Sequence, residues 1–180
     1  VRNGLPHLKP RLLTRVPDNL DVAAGGILQS VLGTLGILAV AAGIAVPVGI
    51  LGGIYLTEGR GRFPAAVRFL ADVLNGVPSI VVGIFVYAAL VYPVSQRFPG
   101  KGYSGYAGGV ALAILMVPLV VRTTEEMVRL VPTTLRDASL GLGASRWRTM
   151  FSVTLPAARG GIVTGVMLAV ARVAGETAPL

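Results

Sequence analysis

A bundle of membrane-spanning α-helices, all-α and crossing the bilayer several times, is the fold class this sequence predicts. Three observations carry the prediction. The chain of 180 residues is 53% hydrophobic and 13% charged, with a mean hydropathy of +0.74, outside the balance of soluble domains. Its charges sit at the margins of long apolar runs, with none between Asp21 and Glu58, between Asp72 and Arg97, or between Lys101 and Arg122. It also holds 24 glycines, and small residues let helices approach closely where lipid supplies no hydrophobic drive for association.

A helix needs about 20 mainly apolar residues to cross a hydrocarbon core about 30 Å thick. Four stretches qualify, at about residues 27–56, 73–94, 106–121 and 160–180. The first is longer than one crossing needs, which places Gln29, Ser30 and Thr34 in an interfacial first turn and starts the buried part near Gly33. A loop from Glu58 to Arg68 follows it, and residues 122–159 form a polar connector before the fourth span. Residues 1–24 precede the bundle as an extracytoplasmic segment. Because the chain opens on Val1 and stops at Leu180 inside an apolar run, further spans are expected on both sides.

Alternation of the spans puts 58–72 and 122–159 on one side, with nine Lys or Arg against six on the other. The positive-inside bias makes that side cytoplasmic. Tyr87, Tyr92, Tyr103 and Tyr106 gather toward the opposite interface as an aromatic belt. Gly49 with Gly53, Gly105 with Gly109, and Gly161 with Gly165 have the small-xxx-small spacing of tight helix packing within a bundle. Pro47, Pro78 and Pro118 lie in or beside spans, where each removes an amide. The segment Asn75-Gly76-Val77-Pro78-Ser79 is therefore either a packing kink or a helix break that lines a polar path.

Several function classes are excluded. A net charge of +8 comes from basic residues placed singly at the ends of apolar runs, with no aromatic-interleaved basic face, so nucleic acid is not a partner. With no cysteine there is no disulfide framework or thiolate site, and the lone His7 lies in a Pro-rich polar stretch as a solvated residue. No GxxxxGK[ST] loop, metal-ligand cluster or nucleophile paired with a base occurs, so the sequence supplies no catalytic residue, no metal site and no ATP hydrolysis of its own. The first apolar run is much longer than a signal peptide's apolar core.

The connector is too polar to span and too patterned for a slack loop. Met127, Leu130 and Val131 recur at helical spacing. Thr134 with Asp137 has capping-box spacing, and Gly141 and Gly143 suit a helix end, which predicts a short helix over Leu135–Leu142 at the membrane face. Asp137-Ala138-Ser139, then Gly143, Val153 and Leu155-Pro156, keep the spacing of a signature found in the inner-membrane subunits of ABC importers: Glu-Ala-Ala, three residues, Gly, nine residues, Ile, one residue, Leu-Pro. The chain resembles that family. GVPSIVVGIFVY (76–87), VVRTTEEMVRLVP (120–132) and AVARVAGETAPL (169–180) further resemble the permeases of phosphate importers.

The resemblance implies a type I importer transmembrane domain over residues 25–180, placed multi-pass in the cytoplasmic membrane. It implies that residues 122–159 hold a coupling helix that docks on an ABC ATPase, present as a dimer that carries ATP and Mg. Other implied partners are a second, homologous permease subunit and a periplasmic or extracellular phosphate-binding protein. Arg146 and Trp147, with Arg148, read either as anchors of that contact or as ordinary interfacial anchors. For the path itself, Arg172 lies inside the fourth apolar run, and Glu176 one helical turn on can pair with it. That pair reads as a structural staple or as an anion site in which phosphate competes with Glu176 for the guanidinium. Arg122 is a candidate exit contact or a positive-inside anchor, and Ser79, Thr123 and Thr124 are candidate neutral donors. A permease for another oxyanion or small solute, and a non-transporting membrane scaffold, remain the rival readings.

Overall fold

The computed structural model describes residues 27–59, 61–98 and 104–176. The segment 1–24, His7, Lys101, Tyr103 and the terminal Thr177 to Leu180 lie outside them. Six helical rods follow one another along the described residues, with no strand: α1 Leu28–Glu58, α2 Arg62–Gly76, α3 Ser79–Arg97, α4 Gly105–Leu130, α5 Thr133–Gly141 and α6 Arg146–Ala174. Rods α1, α3, α4 and α6 are each long and apolar enough to cross a membrane. A single π-type turn interrupts α3 at Tyr87–Val91 and α6 at Met150–Thr154.

α4 is the axis of the bundle. Half of its most apolar window is buried within the chain, against 28% or less for the other three. Glycines set how close its neighbours come. A Cβ on Gly49 would stand 2.5 Å from Val120 Cβ, and one on Gly53 2.5 Å from Thr124 Cβ, so α1 crosses α4 almost backbone to backbone. The contact is reciprocal higher up, where Gly109 of α4 leaves 2.7 Å for Val40 Cγ1. On its other side α4 takes α6 in the same way, with Gly161 against Met127 and Gly165 against Thr123. All three small-xxx-small pairs therefore pack inside the chain, Gly105 facing Ile37 at ordinary distance. Ala41, Ala45, Leu112, Met116, Val120 and Ala169 fill the layer these contacts enclose.

Several stretches differ from the sequence expectation. The second spanning rod is Ser79–Arg97, not 73–94, because residues 73–76 end α2 before the break at Pro78, and the fourth begins at Arg146 and not at 160, because the polar stretch before it is already helical. The segment expected to be a loop from Glu58 to Arg68 is mostly helix, because Arg62–Gly76 forms an amphipathic rod that turns Arg68 and Asp72 toward α4 and leaves Phe63, Phe69 and Leu70 exposed. The third span does not stop at 121 but continues as helix to Leu130, since Glu125 and Val128 keep the apolar face of α4 buried beyond the first charge. The connector is thereby shorter than its polarity suggested.

α2 and α3 together run alongside α4. Arg68 meets Glu125, Asp72 meets Arg122, and Val82 and Val86 cluster with Ala111, so the two rods track α4 antiparallel. They are separated at Val77 and Pro78, both of which are extended (ψ 130 and 133). Pro78 has no amide to continue the ladder and restricts Val77 to extended backbone, which explains the break.

Candidate functional site

The break opens a cavity of about 220 Å³ lined by Leu74, Asn75, Val77, Pro78, Ser79, Leu115, Arg172, Val173 and Glu176. That is room for about seven waters at about 30 Å³ each. Leu115 lies ten residues into α4, about 15 Å along the rod at about 1.5 Å per residue, near half the depth of a hydrocarbon core.

Its polar groups come from three elements. α2 ends on Asn75, α3 begins with Ser79, and the last turn of α6 supplies Arg172. The amides of Ser79 and Ile80 open α3 without an intrahelical carbonyl, so this end of the rod favours negative charge. Arg172 is exposed, and its guanidinium makes no hydrogen bond or ion pair with the described residues. The expected pairing of Arg172 with Glu176 is not formed. α6 stops at Ala174, Gly175 caps it, and the Glu176 amide closes a tight turn on the Val173 carbonyl at 3.1 Å, which takes Glu176 out of the one-turn register of a continuous helix. Glu176 still lines the cavity, so the two charges share one space without touching.

Arg122 is not in this cavity. It makes a bidentate pair with Asp72, Nε to Oδ1 at 2.8 Å and Nη2 to Oδ2 at 3.1 Å, and donates to Glu125 Oε2 at 3.1 Å. Thr123 and Thr124 are not there either: Thr123 Oγ1 donates to the Leu119 carbonyl at 3.0 Å and Thr124 is buried under Gly53.

The residue that sequence reasoning passed over is Glu125. It is 2% exposed and accepts from three arginines, Arg68 Nε at 2.6 Å, Arg129 Nη2 at 2.7 Å and Arg122 Nη1 at 3.1 Å. Arg68 also donates to the carbonyl of Leu56 near the end of α1. One carboxylate thus ties α1, α2 and α4 together. Part of the signal was present, since Arg122, Glu125 and Arg129 repeat at helical spacing; the third arginine comes from far along the chain.

The signature residues gather at the same end of the bundle. In α5, Asp137 and Ala138 are exposed and Ser139 is half-buried, and no α5 side chain is fully buried. The predicted cap does not form: Pro132 occupies the N-cap, so Thr134 falls inside the first turn. Gly143 takes φ +84, a conformation L side chains rarely adopt, in the turn that leads to Ser145, whose hydroxyl caps α6 by accepting from the Arg148 amide. Arg146 and Trp147 begin α6, with Trp147 stacked on Phe151 at 6.1 Å and exposed; Leu155 packs into the apolar cluster around Val128 and Met150, and Pro156 follows.

A helix bundle with a broken rod at half depth and a surface helix bearing an importer signature defines an inner-membrane transport component. The family model described as binding-protein-dependent transport system inner membrane component matches residues 45–180, and the chain belongs to that family. The phosphate transport system permease protein PstA of Yersinia pestis is 44% identical over 182 residues, covering 100% of this chain and 60% of that protein. PstA of Haemophilus influenzae is 43% identical, with 100% and 62% covered, and PstA 1 of Mycobacterium tuberculosis is 46% identical over 158 residues, with 87% and 50% covered. The chain thus spans about three fifths of the length of the first two relatives. A chain of the inward-facing MetNI methionine ABC transporter shares the fold, with TM-score 0.68 at 22% identity over 83% of this chain and 70% of that one.

Proposed function

We propose that this chain forms part of the permease of an ATP-driven importer that carries inorganic phosphate across the cytoplasmic membrane. The observation that carries the reading is the half-depth cavity in which Arg172, free of any ion pair with the described residues, faces Ser79, Asn75 and the amide end of α3. The identity to phosphate permeases over the whole chain supports the choice of cargo. An arginine at the centre of a bilayer costs about 2.5 to 3.5 kcal/mol on insertion scales. Its place beside a wet cavity lowers that cost and leaves its planar fork available to two phosphate oxygens.

Glu176 makes the site a weak one. A carboxylate sharing the cavity repels a second anion and competes for the guanidinium, so phosphate passes without being trapped. α5 and the Arg146-Trp147 end of α6 form the surface on which a separate ATPase dimer, carrying ATP and Mg, drives the cycle. A second permease subunit completes the pathway, and an external phosphate-binding protein delivers the cargo. Arg122 serves as a structural tie on the cytoplasmic side.

The test is uptake in vesicles holding the full-length chain with its partners. Arg172→Gln abolishes phosphate uptake with the complex still assembled, and Arg172→Lys recovers it poorly because an ammonium lacks the fork. Sulfate or molybdate taken up in preference to phosphate would overturn the cargo. Near-normal uptake in Arg172→Glu combined with Glu176→Arg would overturn the pathway role of the pair.

A further inference from the structure

α5 joins α4 through Val131 and Pro132, with Val131 7% exposed in the cluster around Val128, and its further polar ties lead to the two rods that wall the cavity. None of its side chains is fully buried, and its leucines Leu135 and Leu140 are 46% and 42% exposed, so apolar packing holds it only loosely. Arg136 instead reaches back to α4, where Nη2 donates to the Val128 carbonyl at 2.6 Å. Val128 is 0% exposed and sits in the last turn of α4, where its carbonyl has only a long 3.4 Å bond from the Val131 amide and the helix dipole favours a cation. The Arg136 Nε atom is itself buried, so the guanidinium is inserted into the bundle. On the other flank Ser139 Oγ and Thr149 Oγ1 lie 2.9 Å apart, and Thr149 is 4% exposed at the start of α6. α4 carries Leu115 and α6 carries Arg172 and Val173 into the cavity wall.

We propose that Arg136 is a positioning residue that couples movement of α5 to α4, with the Ser139–Thr149 link coupling it to α6, so that one surface helix shifts both walls of the cavity together. The inference rests on the proposed ATP-driven import and assigns to it Arg136 and Thr149, which the signature spacing does not include. Without the guanidinium, α5 keeps its tie to α6 and continues to receive the ATPase, but its two-residue link to α4 through Val131 and Pro132 becomes a hinge at which α5 turns without carrying α4 with it. The serine at position 139, where the signature has alanine, is in this view a working part, because alanine has no hydroxyl to meet Thr149.

The experiment compares Arg136→Gln and Arg136→Lys in the full-length chain, assembled with a cysteine-free set of partners in vesicles. Three quantities are read: ATPase retained on the complex, phosphate imported per ATP hydrolysed, and the nucleotide-dependent labelling of a single thiol introduced as Ser79→Cys. Arg136→Gln is expected to keep the ATPase bound and hydrolysing while phosphate per ATP falls about tenfold, the scale of one lost charge-assisted hydrogen bond. The labelling of position 79 stops responding to nucleotide, and Arg136→Lys restores much of the response because the cation still meets the carbonyl. Loss of the ATPase from the Arg136→Gln complex, an unchanged labelling response, or equal behaviour of Gln and Lys would each overturn the proposal. The thiol readout does not depend on the cargo. If the unmutated position 136 gives no nucleotide response, the permease reading itself fails; if it responds but phosphate is not imported, the cargo alone is wrong.

Discussion

Glu125 concentrates more charge chemistry than any other single side chain among the described residues. Its carboxylate is 2% exposed, and three arginines satisfy its oxygens. Breaking a buried ion pair by removing one partner costs about 3–5 kcal/mol because the remaining charges stay desolvated. Glu125→Ala is therefore expected to lower the midpoint of thermal unfolding in detergent far more than Arg129→Ala, whose side chain is 57% exposed and whose contribution is about 1 kcal/mol or less. Equal midpoints for the two variants would show that the carboxylate is not the centre of the tie. At this scale Arg172 and Ser79 were legible, because a charge and a hydroxyl beside a proline in apolar runs mark themselves. Glu125 was not, because its decisive partner Arg68 lies 57 residues away and no local pattern reports it. The one-turn spacing of Arg172 and Glu176 does not bring them together because the helix ends at Ala174, between the two.

At the scale of elements, glycine contacts decide which helices touch. A side chain at Gly53 meets Thr124 Cβ at 2.5 Å and the Val121 carbonyl at 2.8 Å, and neither can move without displacing α4. Gly53→Leu is expected to cost about 1–3 kcal/mol by overpacking and to reduce the folded yield of the chain. Gly43→Leu, with nothing within 4 Å, is expected to be tolerated. The measurement is the monodisperse fraction after detergent extraction, and matching losses would refute the packing argument. The break between α2 and α3 gives a second prediction. Pro78→Ala restores an amide and lets the ladder continue, so access of a thiol reagent to Ser79→Cys is expected to fall in the double variant. The spans themselves were legible from charge-free runs; the amphipathic α2 was not, since its apolar residues are spread round a charged face that only α4 explains.

For the whole molecule, the face carrying α5 is the cytoplasmic one if the positive residues set the orientation. The chain has no cysteine, so single thiols read this directly. Leu142, 90% exposed after α5, and Phe98, 55% exposed after α3, lie at opposite ends of the bundle. In intact cells Phe98→Cys is expected to react with a membrane-impermeant reagent and Leu142→Cys only after lysis. The reverse pattern would invert the topology and with it the direction of transport.

The seat of α2 also dictates an order of assembly during synthesis. Its charged residues Arg68 and Asp72 find their partners on α4, 57 and 50 residues further along the chain. Until Arg122 and Glu125 have left the ribosome, α2 lacks the partners that seat it, and Arg68 and Asp72, one turn apart, have only each other. The rod therefore waits at the lipid surface, its Phe63, Phe69 and Leu70 in the headgroup region, while α3 and then α4 enter. The cavity at Pro78, whose wall needs Leu115 of α4 and Arg172 and Val173 of α6, therefore takes shape only after the last of these rods has joined.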